Sequence, residues 1–530
     1  MESQKGIPHI LALDHGTSGC KVALVSVWGK VADFQFEPTP IHFLPGGGAE
    51  QDPEDWWQAF LNASKALLGR GSVPVRDIAA VAVSSTFSST VAVDKNGNAL
   101  MNSLTWMDSR GAPYIRKLMR GFLNVQGYGL TRILKWIRKT AGAPQLSGKD
   151  DISHVLYVKH ELPEVYDKTY KFLGSKDYFN LRLTGQFVSS QDAMMLFWVT
   201  DTRDIHNIRY DEALISMVDI EKDKLPALKR SIDLAGTLRP EVARAIGLSE
   251  DTKVFVGSPD HQSALLGSGA VRDFEGHLYI GTSSWVECIV PFKKTDIFHS
   301  IASLPSAIPG KYQCINEQDI AGGCLTFLAE NILFHRNAAR TPAAIENPYE
   351  SMDEIAALVP PGSRRLIFTP WLHGERTPVD SNTLRAGLFN LSLTSTLDDI
   401  IRAFYEGVAY NTRWSLAYVE KFIGRPFKEL HMVGGGARSP LWCQIFADVM
   451  NRTMKQVEDP LQANARGAAF VASVGLGHIR FDDIPGLTRF SGVFHPDPGN
   501  RALYDELYAE FLNIYKNNKD MYGRLNQAMP

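Results

Sequence analysis

The sequence predicts an α/β fold built from two related halves, and three segments carry that prediction. Strand-like Ile10 to Leu13 runs into Asp14-His15-Gly16-Thr17-Ser18, and after Gly19, Cys20 and Lys21 a second apolar run resumes at Val22 to Val25. Far down the chain, Leu278-Tyr279-Ile280 again ends in Gly281-Thr282-Ser283, followed by apolar residues through Val286 and Ile289-Val290. The strand-like Glu429 to Val433 ends in Gly434-Gly435-Gly436-Ala437-Arg438-Ser439, with a helix expected from Pro440 through Met450. Each Gly-Thr-Ser hairpin suits a phosphate. Gly16 and Gly19 are expected to take positive φ and bring N–H groups close to an anion; Thr17 and Ser18 add hydroxyls, and Asp14 adds a carboxylate suited to Mg²⁺. Two such hairpins are what a protein clamping a nucleotide between related domains needs.

The elements follow in order. Asp52 caps a helix with Pro53 at its first position and acids in its first turn, and Trp57, Phe60, Leu61, Leu67 and Leu68 form its buried side. Strands follow at Ala79 to Val83 and Thr90 to Val93, and Lys95-Asn96-Gly97-Asn98 turns the chain back toward Leu104-Thr105-Trp106. Tyr128 to Lys149, rich in Arg and Lys and then in Gly, Ala, Pro and Ser, reads as a surface excursion rather than a core element. Lys253 to Val256 is a buried-type strand ending in Gly257-Ser258-Pro259-Asp260-His261, and Ala264 to Gly269 begins a helix or crossover. Cys324 to Phe334 is apolar, Asp398 to Val408 has helical spacing with Asp caps, and Asn464 opens a helix of small residues.

At 530 residues the chain exceeds a single core, and two domains are expected, 1–256 and 257–530. With 44% hydrophobic and 21% charged residues and a formal charge of -3, the sequence reads as globular and shows no nucleic-acid footprint. The five cysteines are scattered without a Cys-x-x-Cys pair and read as reduced, buried thiols. Met1-Glu2-Ser3-Gln4-Lys5-Gly6 lacks the apolar core of a signal peptide, and no run of about eighteen apolar residues suggests a membrane span. A cytoplasmic protein acting on a small substrate is expected, with a homodimer as its assembly and neither nucleic acid nor membrane as partner.

No P-loop and no Gly-x-Gly-x-x-Gly fingerprint follows a strand, so two common nucleotide folds lose support. The Asp-x-Gly-Thr hairpin fits a third. Asp14-x-Gly-Thr-Ser-x-x-Lys21, Gly281-Thr282-Ser283 and Gly434 to Ser439, in this order, resemble the FGGY carbohydrate kinases of the actin, Hsp70 and sugar kinase superfamily. Trp106-Met107-Asp108-Ser109-Arg110 is similar to that family's Trp-x-Asp-x-Arg. Lys176-Asp177-Tyr178 with Leu183-Thr184-Gly185, and Ala386 to Glu406, resemble further family segments, the last with Asn390 and Phe404 departing from the pattern. Within the family the likeness is to xylulokinases, which share the Glu50 to Trp57 start and the Gly434 to Trp442 segment.

The resemblance implies two RNase H-like domains with a cleft between them, sugar held mainly by the first and ATP by the second. It makes Asp260 the general base for the attacking hydroxyl, in keeping with carboxylate chemistry at a weakly acidic alcohol. Asp14 organises Mg²⁺, with Gly16, Thr17, Ser18, Gly281, Thr282 and Ser283 around the phosphates. Gly435, Gly436, Ala437, Gln444 and Asn464 line the nucleotide. Lys21 reads equally as surface charge, and Trp442 as core packing. Thr86, Phe87, Trp106, Asp108, Asp260 and His261 are the substrate residues; for Trp106 and Asp108 the alternative is a core Trp beside an Asp108–Arg110 ion pair, and for His261 an ordinary hydrogen-bonded histidine. The sugar is expected to be a ketose such as D-xylulose; Thr86-Phe87-Ser88 in place of the Gln-Met-His of xylulokinases removes a hydrogen-bonding partner for that sugar, and His261 stands where they have Asn, so the alternative is another ketose or polyol, ribulose or glycerol-like. The rival class is an actin- or Hsp70-like conformational ATPase, which has no need of Trp106, Asp108, Arg110 and Asp260 together.

Overall fold

The structure, a computed structural model, describes residues 6–333 and 347–526. Met1 to Lys5 and Phe334, the last residue of the apolar stretch from Cys324, lie outside the described residues. The first sheet has six strands in the spatial order Leu234–Thr237, Lys253–Pro259, Ile78–Ser85, His9–Gly16, Gly19–Ser26, Val31–Pro38. The last three form an antiparallel meander, and Ile78–Ser85 and Lys253–Pro259 continue it in parallel. The eight-stranded second sheet repeats this plan at its centre. Gly276–Ile280, Ser284–Val290 and Tyr312–Ile315 are the antiparallel meander, and Glu429–Val433 and Thr453–Val457 the parallel pair. Two copies of one strand order with the same directions make the α/β architecture RNase H-like in both halves.

Alternation along the strands sends residues to two different layers. Leu11, Leu13, Val22, Leu24, Val81 and Val83 pack with Trp56, Phe60 and Leu67 of the helix Pro53–Gly69. That helix starts where the sequence placed it: the Asp52 side chain accepts from the Glu54 N–H at 2.8 Å, a cap of about 1 kcal/mol. Ile10, Ala12, Ala23, Val25, Ala80 and Ala82 face the other way, onto Ala465, Ala468, Ala469 and Ala472. Those alanines belong to the helix Ala463–Gly475 from the far end of the chain, so the two halves share a packed layer. The same helix crosses the helix Asp260–Ser268 backbone to backbone. A Cβ on Gly467 would lie 1.8 Å from the Ser263 carbonyl oxygen, and one on Gly267 would lie 1.8 Å from that of Ala463.

Two expectations need correction. The strand expected to stop at Val256 continues through Pro259, so a boundary after residue 256 falls inside a strand of the first sheet. The cause is a bulge: register shifts between Phe255 and Ser258, and Gly257 takes φ +74, with its would-be Cβ 2.1 Å from the Val83 carbonyl oxygen. Gly-Ser-Pro therefore reads as a loop while it still pairs. The segment Tyr128 to Lys149 is more than a surface excursion. It contains the helix Leu130–Thr140, whose Trp136 is fully buried and donates its indole N–H to the Trp198 carbonyl at 2.9 Å. Its Arg and Lys residues occupy the solvated face and mask Ile133 and Trp136 on the other. The C-terminal carbonyls of this helix are met from the other half: Lys293 Nζ donates to Ile137 and Arg138 at 2.7 and 2.9 Å, and the Thr295 hydroxyl to Ala141 at 2.6 Å.

Candidate active site

Three parallel strands of the first sheet end together. Asp14 and Ser258 both register with Ser84, which at the usual strand spacing places them about 10 Å apart on either side of it. Asp260, two residues beyond Ser258, opens the helix Asp260–Ser268 and accepts the His261 N–H at 2.9 Å. The Asp260 side chain has no cationic ion-pair partner among the described residues. Burial, reinforced by the charges of Asp14 and Glu317 and opposed by His261, pushes its pKa up to about 7. Lys176 and Asn180 hold the bulge before it, both donating to the Val256 carbonyl, at 3.2 and 2.8 Å.

The first hairpin closes through Gly16 paired with Gly19. Gly19 has φ +154, and its would-be Cβ lies 2.2 Å from the Glu37 carbonyl oxygen. Gly16 does not take the expected positive φ, because the turn is made by Thr17-Ser18 and Gly16 still belongs to the strand. Thr17 accepts the Trp106 indole N–H on its hydroxyl at 2.9 Å and the Gln51 amide on its carbonyl at 3.0 Å, while Ser18 offers its carbonyl to the Thr39 N–H at 3.1 Å. Asp14 meets Lys21 at 3.5 Å and accepts from the Asn464 amide at 3.3 Å. Lys21 is not a bare surface charge, since Nζ also donates to the Leu461 carbonyl of the opposite half at 2.8 Å.

The second hairpin is braced from behind. Gly281 N–H donates to Ser283, and the N–H groups of Ala321 and Gly322 donate to Thr282 and Gly281, at 2.7 and 2.8 Å. A Cβ on Gly322 would sit 2.5 Å from the Gly281 carbonyl oxygen, so Gly322 is needed for that approach. In the third segment the demanding glycine is Gly434, at φ +90 and pressed against the Ile280 carbonyl. Gly435 is exposed, whereas Gly436 packs on Ile280 and Trp442. Ala437 is fully buried, with its carbonyl taken by Gln456 at 2.6 Å. Gln444 is tied to Asp448 and the His495 carbonyl at 2.7 and 2.9 Å, and Asn464 lies on Asp14 rather than beside this turn. Trp442 is core, its indole N–H held by the Tyr405 carbonyl.

Of the substrate residues, Phe87 and His261 come together, their ring centroids 5.5 Å apart. Thr86 anchors the same loop, its N–H on the His15 carbonyl at 3.0 Å and its hydroxyl near Ser89. Trp106 joins the pocket wall to the first hairpin through Thr17. Asp108 is not available to a substrate. Its carboxylate is fully buried and takes the Ala49 and Arg110 N–H groups and the Arg110 guanidinium, which also reaches Glu50 at 2.6 Å. The ion-pair alternative is the one realised.

Residues 9–267 match the N-terminal domain of the FGGY family of carbohydrate kinases, and residues 277–476 match its C-terminal domain. The chain belongs to this family. It is 28% identical to a xylulose kinase of Bacillus subtilis (strain 168) over 519 residues, covering 97% of this chain and 98% of that one. It is 25% identical to a gluconokinase of the same organism over 519 residues, covering 98% and 97%. A solved structure of ligand-bound xylulose kinase from Lactobacillus acidophilus superposes with a TM-score of 0.84 at 24% identity, covering 98% of this chain and all of that one.

Three residues around His261 escape a reading of motifs. Trp285 stacks on His261 at 4.0 Å and on Tyr279 at 3.9 Å, forming an aromatic column beside Asp260. Burial, then the charges of Asp14 and Asp260, hold the Tyr279 phenol well above its ordinary pKa, which marks it as a neighbour of both carboxylates. Glu287 lies beneath His261. Ser284–Val290 is buried at every position, so its pattern gives no hint that Trp285 and Glu287 lie against His261.

Proposed function

We propose that this carbohydrate kinase transfers the γ-phosphoryl group of ATP to a small sugar, a ketose such as D-xylulose, with Asp260 as the general base. The observation that supports it is the position of Asp260: a carboxylate without a cationic ion-pair partner at the ends of the strands that carry Asp14. A base with its pKa near 7 can take a hydroxyl proton in the transition state while holding the oxygen in line. Thr17, Ser18, Thr282 and Ser283 then face the phosphates, and Gly435 the adenosine. A cation would be held at Asp14. Among the described residues no group of three or more His, Cys, Asp or Glu side chains gathers that could hold a metal ion. One carboxylate nevertheless fits Mg²⁺, which usually keeps waters and binds through one or two carboxylates plus substrate phosphates. When bound, it would neutralise phosphate charge. Closure of the two halves keeps water from competing with the sugar.

A second reading, an aldonate substrate, is favoured by the gluconokinase likeness and by His261 in the pocket. The test is ATP consumption and sugar-phosphate formation with D-xylulose, D-ribulose, glycerol and gluconate. Hydrolysis indifferent to every compound, with no phosphorylated product, would replace the kinase reading by that of a conformational ATPase.

The pH profile is also expected to report Asp260. Its pKa is raised, so the base form builds up as pH rises through about 7, and kcat/KM should climb over that range. Burial alone would lower the pKa of His261, but the Glu287 carboxylate outweighs it and lifts the imidazole to about 9, so a second change is expected there. A flat profile from pH 6 to 8 in buffers of constant ionic strength would contradict the base assignment.

A further inference from the structure

Resting on the reading of the cleft as a sugar pocket, the side chains under His261 narrow the class of substrate. His261 Nδ1 and Glu287 Oε1 are 2.7 Å apart, Glu287 is fully buried, and its other oxygen accepts the Gln313 amide at 2.6 Å. The imidazole is clamped between Trp285 of the second half, at 4.0 Å and nearly parallel, and Phe87 of the first. Phe87 has no hydrogen-bonding group, and the Trp285 indole N–H is taken by His277 at 3.2 Å, so neither competes for the imidazole. Among the described residues Nε2 has no hydrogen-bond partner, and it is not among the enclosed polar atoms left without one, so it keeps access to solvent. The charged groups that raise this imidazole are Glu287, Asp260 and Glu317, and burial holds the neighbouring His277 neutral.

A carboxylate that fixes Nδ1–H and stabilises the imidazolium leaves Nε2–H as a donor. A donor with no accepting capacity prefers an oxygen that has no proton of its own to place. We infer that Glu287 is a positioning residue that makes His261 a fixed donor, and that this donor selects a substrate with an sp² oxygen within its reach, a ketose carbonyl or an aldonate carboxylate, over the corresponding polyol. A charge-assisted hydrogen bond of this kind corresponds to about a 10- to 100-fold difference in affinity.

Binding measured by calorimetry on the full chain without nucleotide makes the test independent of Asp260 acting as a base. D-Xylulose, gluconate and xylitol are the probes. The wild type is expected to bind D-xylulose or gluconate about 10- to 100-fold more tightly than xylitol, the tighter of the two naming the carbonyl or the carboxylate. Glu287→Gln keeps an acceptor for Nδ1–H but removes the charge, and His261→Ala removes the donor. Both should bring the ratio toward one while ADP affinity, which reports the fold, stays unchanged. Equal binding of all three probes by the wild type, absence of binding included, overturns the inference. So does a ratio that survives both substitutions. Loss of turnover in an Asp260 variant that keeps the ratio would bear on the base alone.

Discussion

Asp260→Asn is expected to lower kcat for sugar phosphorylation about 10²-fold or more while leaving nucleotide affinity unchanged. The amide fills the same space and still accepts the His261 N–H, so the strand end, the bulge at Gly257 and the start of the helix stay in place. What disappears is the acceptor for the hydroxyl proton. Stability separates this outcome from misfolding. Asp260 has a folded-state pKa raised to about 7, so its ionised form costs stability as pH rises from the ordinary carboxylate range near 4, in full above about 7. The neutral amide carries no such cost and no repulsion with Asp14 and Glu317, so the thermal midpoint at pH 8 should hold or rise. A variant as stable as the parent with near-parental turnover would remove Asp260 from the chemistry.

The second large effect is expected at Gly467. In Gly467→Ala the new methyl group would lie 1.8 Å from the Ser263 carbonyl oxygen. Backbone cannot rotate aside as a flexible side chain would, so one helix must move, at about 3 kcal/mol for an overpacked contact. Ser263 is one helical turn from Asp260, and a displacement near 1 Å at a reacting group can cost about 10²-fold in rate. Both the midpoint and kcat should fall. Gly523→Ala is the control: Gly523 lies within the helix Arg501–Leu525 with nothing within 4 Å of the added carbon. There the substitution should be neutral or stabilising by up to about 1 kcal/mol. Equal behaviour of the two variants would show that the close approach has little weight.

Local chemistry was legible where it repeats a pattern along the chain. Asp14 to Lys21, Gly281 to Ser283 and Gly434 to Ser439 announce themselves because a tight turn demands glycine and an anion demands N–H and hydroxyl donors. The helix Pro440–Met450 was legible from a Ser439 cap followed by proline. What escaped depends on partners distant in sequence. Asp108 could have been a sugar ligand until Ala49 and Arg110 were found on both of its oxygens. Glu287 looks like any polar residue in a strand until the fold sets it under His261. Gly257 reads as a terminator because a bulge and a loop use the same residues, and Trp136 was hidden by the charges on the outer face of its helix.

The carbonyls at the end of the helix Leu130–Thr140 are capped by Lys293 and Thr295, which lie in the other half of the molecule. The halves are therefore not interchangeable modules. A chimera joining residues 1–269 of this chain to the remainder of a relative lacking a lysine and a hydroxyl at those two places would keep both sheets and every phosphate turn. It would still strand the end of that helix in water, and the cost would surface at the seam between the parents rather than within either one.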